Sequence, residues 1–206
     1  MAVLIVDYGM GNIASAQRSL EECGAKVFVS DQPDSIAAAD RSVIPGVGAF
    51  PKAMERLNAQ GWTDAIRYAA LSKKIPVLGI CLGMQLLADV SLEFTETRGL
   101  GLIPGHVEKI SPSNNTERVP HVGWNEVNPL GSQPLFASIP AGADFYFVHS
   151  YRFIAAEPSH ILATTPYCGE TLAAVGVGNV VGTQFHPEKS SRAGFQLLRN
   201  FLTMKV

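Results

Sequence analysis

Three short stretches of this 206-residue chain carry residue types at spacings that chemistry can use. The first is PVLGICLGMQLL, Pro76 to Leu87, where Cys81 stands between Gly79 and Gly83. An apolar run precedes the cysteine and a helix-forming run follows it. G-x-C-x-G between a strand and a helix is the pattern of a nucleophile elbow, with cysteine in place of serine. The glycines permit a sharp turn that a Cβ would obstruct. Such a turn lifts the side chain above the sheet edge, and the helix N-terminus favours its thiolate. The Leu82 N–H then sits where an oxyanion donor is wanted. The competing reading is a buried structural cysteine, the reading adopted for Cys23 and Cys168.

The second stretch is VVGTQFHPEKS, Val180 to Ser190. Pro187 biases His186 toward extended backbone, and residues two apart on an extended chain project to the same side. His186 and Glu188 are therefore expected to meet. A carboxylate beside an imidazole fixes its tautomer and stabilises its charged form. Taken alone, the same residues also fit a capped surface loop before a helix; beside an elbow cysteine they complete a Cys-His-Glu triad. The third stretch is IPGVGAF, Ile44 to Phe50, in which Gly46 and Gly48 bracket Val47 at a strand end. Such glycines let backbone N–H groups turn toward a ligand, as an oxyanion hole requires; a plain loop is the alternative. A fourth stretch, VDYGMGNIA, satisfies a loose dinucleotide fingerprint through Gly9, Gly11 and Ala14 with Asp31 downstream. That reading leaves Cys81, His186 and Glu188 idle.

The elements that must position these residues follow from periodicity. Strands are predicted at Val3–Val6, Lys26–Ser30, Ser42–Ile44 and Val77–Ile80. Helices are predicted from Asn12 to Cys23, from Pro51 to Leu71 with a break near Gly61, and over Leu82–Ala88. Short apolar strands alternating with helices indicate an α/β fold with an open, mostly parallel central sheet and flanking helices. Beyond Gly105 the texture becomes strand-rich and antiparallel: Val107–Ile110, Phe145–Val148, Ile161–Thr165, Leu172–Val175 and Val180–Phe185. Gly176 to Asn179 reads as a hairpin connection, Ser111 to Thr116 as a polar loop, and Ser191 to Leu202 as a final helix. No repeat or linker divides the chain, so one domain over 1–206 is expected.

The net charge of −2 points to neither nucleic acid nor a membrane surface as partner. The opening apolar run ends at Asp7, without the pattern of a signal peptide, and no run approaches the roughly 20 residues that span a bilayer. Three widely spaced cysteines predict a reducing compartment, the cytoplasm. No Cys/His cluster has zinc-site spacing.

Taken together, DYGMGN at 7–12, PGVGAF at 45–50, GICLGMQLL at 79–87, PHVGWNEV at 120–127, FYFVHSYR at 145–152 and QFHPEKS at 184–190 resemble the class I (triad) glutamine amidotransferases. The resemblance covers essentially the whole chain. Within the family, PGVGAF and HVGWN resemble the glutaminase subunits of imidazole glycerol phosphate synthase. It implies Cys81 as nucleophile, His186 as general base and then acid, and Glu188 as its orienter. It implies an oxyanion site from Gly46, Val47, Gly48 and the Leu82 N–H, and glutamine binding by Gly48, Gln85, Glu93, Ser150 and Tyr151. It further implies a heterodimer with a (β/α)8-barrel cyclase, docked through Asn12, Trp124, Tyr146 and Lys189, with no metal or organic cofactor. A tryptophan in a Gly-rich stretch is otherwise ordinarily a core residue. Pro166–Gly169 is slightly longer than the family's usual loop, away from the catalytic positions.

Overall fold

A computed structural model describes residues 1–112, 114–115 and 117–205. The first half alternates as the periodicity predicts. Strands β1 (Ala2–Val6), β2 (Lys26–Ser30), β3 (Arg41–Gly46) and β4 (Val77–Cys81) alternate with helices α1 (Ile13–Glu22), α2 (Phe50–Ala59), α3 (Trp62–Leu71) and α4 (Leu82–Leu86). The break between α2 and α3 falls at Gly61, whose φ of 81° suits a residue without a Cβ. The second half holds short strands β5 (Val90–Ser91) and β6 (Thr97–Arg98), then β7 (Gly105–Lys109), β8 (His121–Pro129), β9 (Ala143–His149) and β10 (Tyr151–Ala155). After these come β11 (Ile161–Pro166), β12 (Glu170–Val177), β13 (Val180–Thr183) and helix α5 (Ser191–Thr203).

Nine strands form one sheet in the order β2-β1-β3-β4-β13-β12-β11-β8-β9. The β2-to-β13 portion is parallel, and from β13 to β9 every pairing is antiparallel. The antiparallel strands expected beyond Gly105 thus mostly extend the same sheet; β10-β7-β5-β6 form a separate small one. Val177 pairs with Val180 across Gly178-Asn179, so the expected hairpin is present. Helices α2, α3 and α4 bury one face of the large sheet, with Phe50, Leu57, Trp62 and Ile66 in that layer. Helices α1 and α5 bury the other through Leu20, Leu197, Leu198 and Phe201.

Strand β8 was not anticipated, and the reason is visible in its faces. Val122 and Trp124 point outward at 57% and 53% exposure, whereas His121 is buried. Two of its large apolar residues sit on the solvent side and a histidine faces in, with only Val127 following the pattern by which a half-buried strand is read. The strand expected over Val180–Phe185 stops at Thr183, although the Gln184 N–H still donates to the Ala173 carbonyl of β12 at 2.8 Å and Phe185 packs in the core. Of the polar stretch Ser111–Thr116, Ser113 and Thr116 lie outside the described residues.

Candidate active site

Register explains why the three chemical stretches converge. In the parallel ladder Gly46 of β3 pairs with Cys81 of β4, and Ile80 of β4 pairs with Thr183 of β13. The C-terminal ends of β3, β4 and β13 therefore lie side by side, the edge where open α/β sheets bind ligands. Cys81 has φ 55° and ψ −110°, a strained backbone position for a residue with a Cβ, at the N-terminus of α4. The flanking glycines make that turn possible. A Cβ on Gly83 would overlap the Ile44 carbonyl, and one on Gly79 would lie 2.5 Å from the Gly83 carbonyl oxygen. Leu82 opens α4, so its N–H has no acceptor within the helix.

A cavity of about 560 Å³ opens at this edge, lined by Val47, Gly48, Cys81, Leu82, Gln85, Glu93, Ser150, Tyr151 and His186, with Phe94, Lys109, Pro120, Val148 and His149. Of the sequence-predicted site residues, two lie behind the wall: Gly46, buried against the Tyr8 hydroxyl and α4, and Glu188. His186 Nδ1 lies 2.8 Å from Glu188 Oε1, both side chains nearly fully buried. The carboxylate can only accept, so Nδ1 carries the hydrogen and Nε2 is the free end of the ring. Among the described residues Nε2 has no hydrogen-bond partner. Burial pushes the imidazole pKa down, but the Cys81 sulfur and the Glu188 carboxylate outweigh it and raise the value to about 9.

The Cys81 Sγ lies 3.7 Å from the Val148 carbonyl oxygen and 3.8 Å from Gln184 Nε2. A thiol donates to the first; a thiolate accepts from the second. Gln184 is fully buried and was missed in the sequence, although QFHPE contains it. Glu93 was expected at the pocket and is there. Its Oε2 accepts the Phe50 N–H at 2.8 Å, supplying an acceptor at the start of α2 that the N-cap residue Ala49 does not. Burial raises its pKa and the Phe50 bond opposes this. That bond also ties the pocket to the Gly46–Gly48 strand end, where Gly48 has φ 103°.

The expected docking residues sit on the outer side of the same edge. Trp124 is half-exposed, which removes the core alternative. It faces Tyr146 across the β8–β9 ladder, ring centroids 6.0 Å apart, and Lys189 Nζ lies 5.7 Å from the Tyr146 centroid. Val122 and Val148, also paired across the ladder and exposed, continue that patch to the cavity mouth. Asn12 precedes α1, its carbonyl accepting the Ala16 N–H, with no side-chain cap bond. The glycines of the dinucleotide-like stretch have packing roles: the Gly9 carbonyl accepts from Arg56 at 2.9 Å, and Gly11 abuts Pro45.

The family profile for glutamine amidotransferase class-I matches residues 4–204. The chain belongs to the class I glutamine amidotransferases. A relative from Moorella thermoacetica named imidazole glycerol phosphate synthase subunit HisH is 46% identical over 97% of this chain and 93% of its own. One of the same name from Brucella suis is 45% identical over the full length of both. Among solved structures, PurLQS from Thermotoga maritima superposes with a TM-score of 0.76 at 18% identity, covering 98% of this chain and 97% of that one. A structure titled glutamine amidotransferase gives 0.76 at 19%, covering 97% and 96%. These two establish the shared fold. Among the described residues no cluster of His, Cys, Asp and Glu could hold a metal ion, and no helix is long and apolar enough to cross a membrane.

Proposed function

We propose that this amidotransferase chain is the glutaminase subunit of an imidazole glycerol phosphate synthase, acting as one domain over 1–206 in histidine biosynthesis. The observation that carries the chemistry is the His186 ring: Nδ1 is committed to Glu188, while Nε2 is free in the cavity that holds Cys81. Cys81 gives its proton to His186 Nε2, forming the charged ring that Glu188 stabilises, and the Sγ thiolate attacks the glutamine carboxamide carbon. The oxyanion forms against the Leu82 N–H and the Gly46-Val47-Gly48 backbone. The tetrahedral adduct collapses as Nε2 returns the proton to the departing nitrogen, giving ammonia and a thioester. Water, deprotonated by the same nitrogen, then attacks the thioester; the C–S bond breaks, glutamate leaves, and Nε2 returns the proton to the Cys81 sulfur. Glu188 holds the tautomer and stabilises the imidazolium in each half. Glu93 supplies a carboxylate for the substrate ammonium; Gln85, Gly48, Ser150 and Tyr151 complete the glutamine pocket.

Full-length identity to subunits of that synthase supports the pathway assignment. Ammonia would pass to a (β/α)8-barrel cyclase that converts N'-(5'-phosphoribulosyl)formimino-AICAR to imidazole glycerol phosphate and AICAR. The cyclase would dock as a heterodimer on the Trp124–Tyr146–Lys189 patch, with Asn12 as a further contact. Three free cysteines suit a cytoplasmic setting. The test is reconstitution with a synthase cyclase subunit. Glutamine-dependent product formation is expected, with Cys81→Ala abolishing it and added ammonium salts restoring it. A complex that turns over with ammonium but never with glutamine would refute the assignment.

A further inference from the structure

A second pair of imidazoles stands beside the triad and takes no part in the chemistry above. His149 lines the cavity, and His121 lies behind it on the neighbouring strand β8. His149 Nδ1 is 2.8 Å from the Tyr151 carbonyl oxygen, and His149 Nε2 is 3.0 Å from His121 Nδ1. His121 Nε2 in turn lies 3.4 Å from the side-chain nitrogen of Asn125.

One group fixes the direction of every bond in this row. A carbonyl oxygen only accepts, so His149 Nδ1 must carry its hydrogen. In the neutral ring Nε2 then accepts, which requires a hydrogen on His121 Nδ1 and leaves His121 Nε2 to accept from Asn125. Every hydrogen-bonding nitrogen of both rings is used, and neither ring needs a charge. Burial pushes both pKa values down, to about 3 for His121, where His149 adds to the effect, and to about 4 for His149, where the Tyr151 bond opposes it and His186 adds to it.

The same carbonyl polarises the other side of the pocket. Gln85 Nε2 donates to it at 3.0 Å and gives its second hydrogen to Gln184 Oε1 at 3.0 Å. Gln85 must therefore present its oxygen elsewhere, and Gln184 must turn its Nε2 toward the Cys81 sulfur. The row runs unbroken from Asn125 on the docking strand to the nucleophile. It is clamped by packing: the His121 ring is stacked between Tyr167, at 3.7 Å and 12°, and Phe147, at 4.6 Å and 18°. Tyr167 belongs to the longer Pro166–Gly169 loop. That loop, expected away from the catalytic positions, thus reaches the pocket wall through one ring.

We propose that His149 and His121 are positioning residues, a neutral two-imidazole relay that holds the Tyr151 carbonyl and thereby the orientations of Gln85 and Gln184 around bound glutamine. The proposal rests on the glutaminase reading and deepens it. Losing a neutral hydrogen bond of this kind changes a constant by about three- to tenfold.

The test uses the reconstituted complex and wild-type NMR. In the wild type, nitrogen-15 imidazole correlations should give the Nδ1–H tautomer for both rings, unchanged between pH 5.5 and 8. His149→Phe keeps the ring's bulk and removes both bonds; KM for glutamine should rise about three- to tenfold, more than kcat falls, with ammonium-dependent turnover unchanged. His149→Asn restores a donor near the Nδ1 position and should recover most of the loss. An Nε2–H tautomer at His149, or a His149→Phe variant with wild-type KM, overturns the relay. The tautomer measurement needs no activity, so a relay that fails and a glutaminase assignment that fails give different results.

Discussion

Removing the partners of His186 should move its pKa by an amount that the geometry bounds. Raising an imidazole from 6.5 to about 9 is a net preference of about 3 kcal/mol for the charged ring, at about 1.4 kcal/mol per tenfold. Burial acts against that preference, so Cys81 and Glu188 together supply more than the net. Cys81→Ala and Glu188→Gln should each lower the pKa, and the double variant should fall below 6.5, since only burial then remains. The assay is a proton NMR titration of the His186 Cε1–H, assigned by its loss in His186→Asn. Stability follows the same linkage. The folded value lies above the unfolded one, so the stabilisation is complete below pH 6.5 and is lost as pH rises through 9. The melting-temperature gap between wild type and double variant should accordingly narrow across pH 6.5–9. A wild-type titration at or below 6.5, or a double variant that titrates with the wild type, would refute the account of the pair.

Other expectations concern the turn, the triad order, the strand end and the docking patch. Gly83→Ala drives a Cβ into the Ile44 carbonyl and must displace α4 from β3; glutamine turnover should fall on the order of 10²-fold, read beside ammonium-dependent turnover, which should hold. Glu188→Gln should retain more glutaminase activity than His186→Ala, since an orienting carboxylate contributes less than the group that moves the proton. Gly48→Ala, at φ 103° and with Met10 Cε 2.9 Å from the new Cβ, should weaken glutamine use while sparing ammonium use. The chain alone should hydrolyse glutamine negligibly and be strongly activated by a liganded cyclase, with Trp124→Ala reducing that activation in a titration of glutaminase rate against cyclase.

The sequence exposed the parts whose chemistry is local. Cys81 between two glycines, the His186-Pro187-Glu188 turn and the parallel strands all obey short-range rules, and each falls within a residue or two of its predicted place. What it hid depends on distant pairing. β8 was hidden because Val122 and Trp124 face outward while His121 faces in. His149 was quoted within FYFVHSYR and assigned nothing, for its role exists only once β9 pairs with β8 and sets His121 opposite it. Gln184 was likewise inside a quoted motif, yet its function depends on Gln85, a partner 99 positions away. Cys168 was read as a buried cysteine and is one, and the length of the loop around it was noted, but the stacking of Tyr167 on His121 is a tertiary event that no local pattern announces.

Strand β9 and the turn after β13 explain how docking and catalysis can share one edge. The His186 N–H donates to the Tyr146 carbonyl at 2.9 Å, and the Tyr146 N–H donates to the Ser190 hydroxyl at 3.0 Å. The Ser190 hydroxyl donates in turn to the His186 carbonyl at 2.6 Å. The backbone carrying His186, the proposed catalytic base, is thus fastened to a residue whose ring lies beside Trp124 and Lys189. Two residues along, Val148 offers its side chain to the surface and its carbonyl to Cys81; one further, His149 turns inward to the relay. Alternation along β9 puts the proposed docking residues on one face and the proposed relay on the other, with a single strand between them. A partner that presses on Tyr146 and Val148 therefore acts on the backbone that sets both His186 and the Cys81 sulfur, with no flexible loop between.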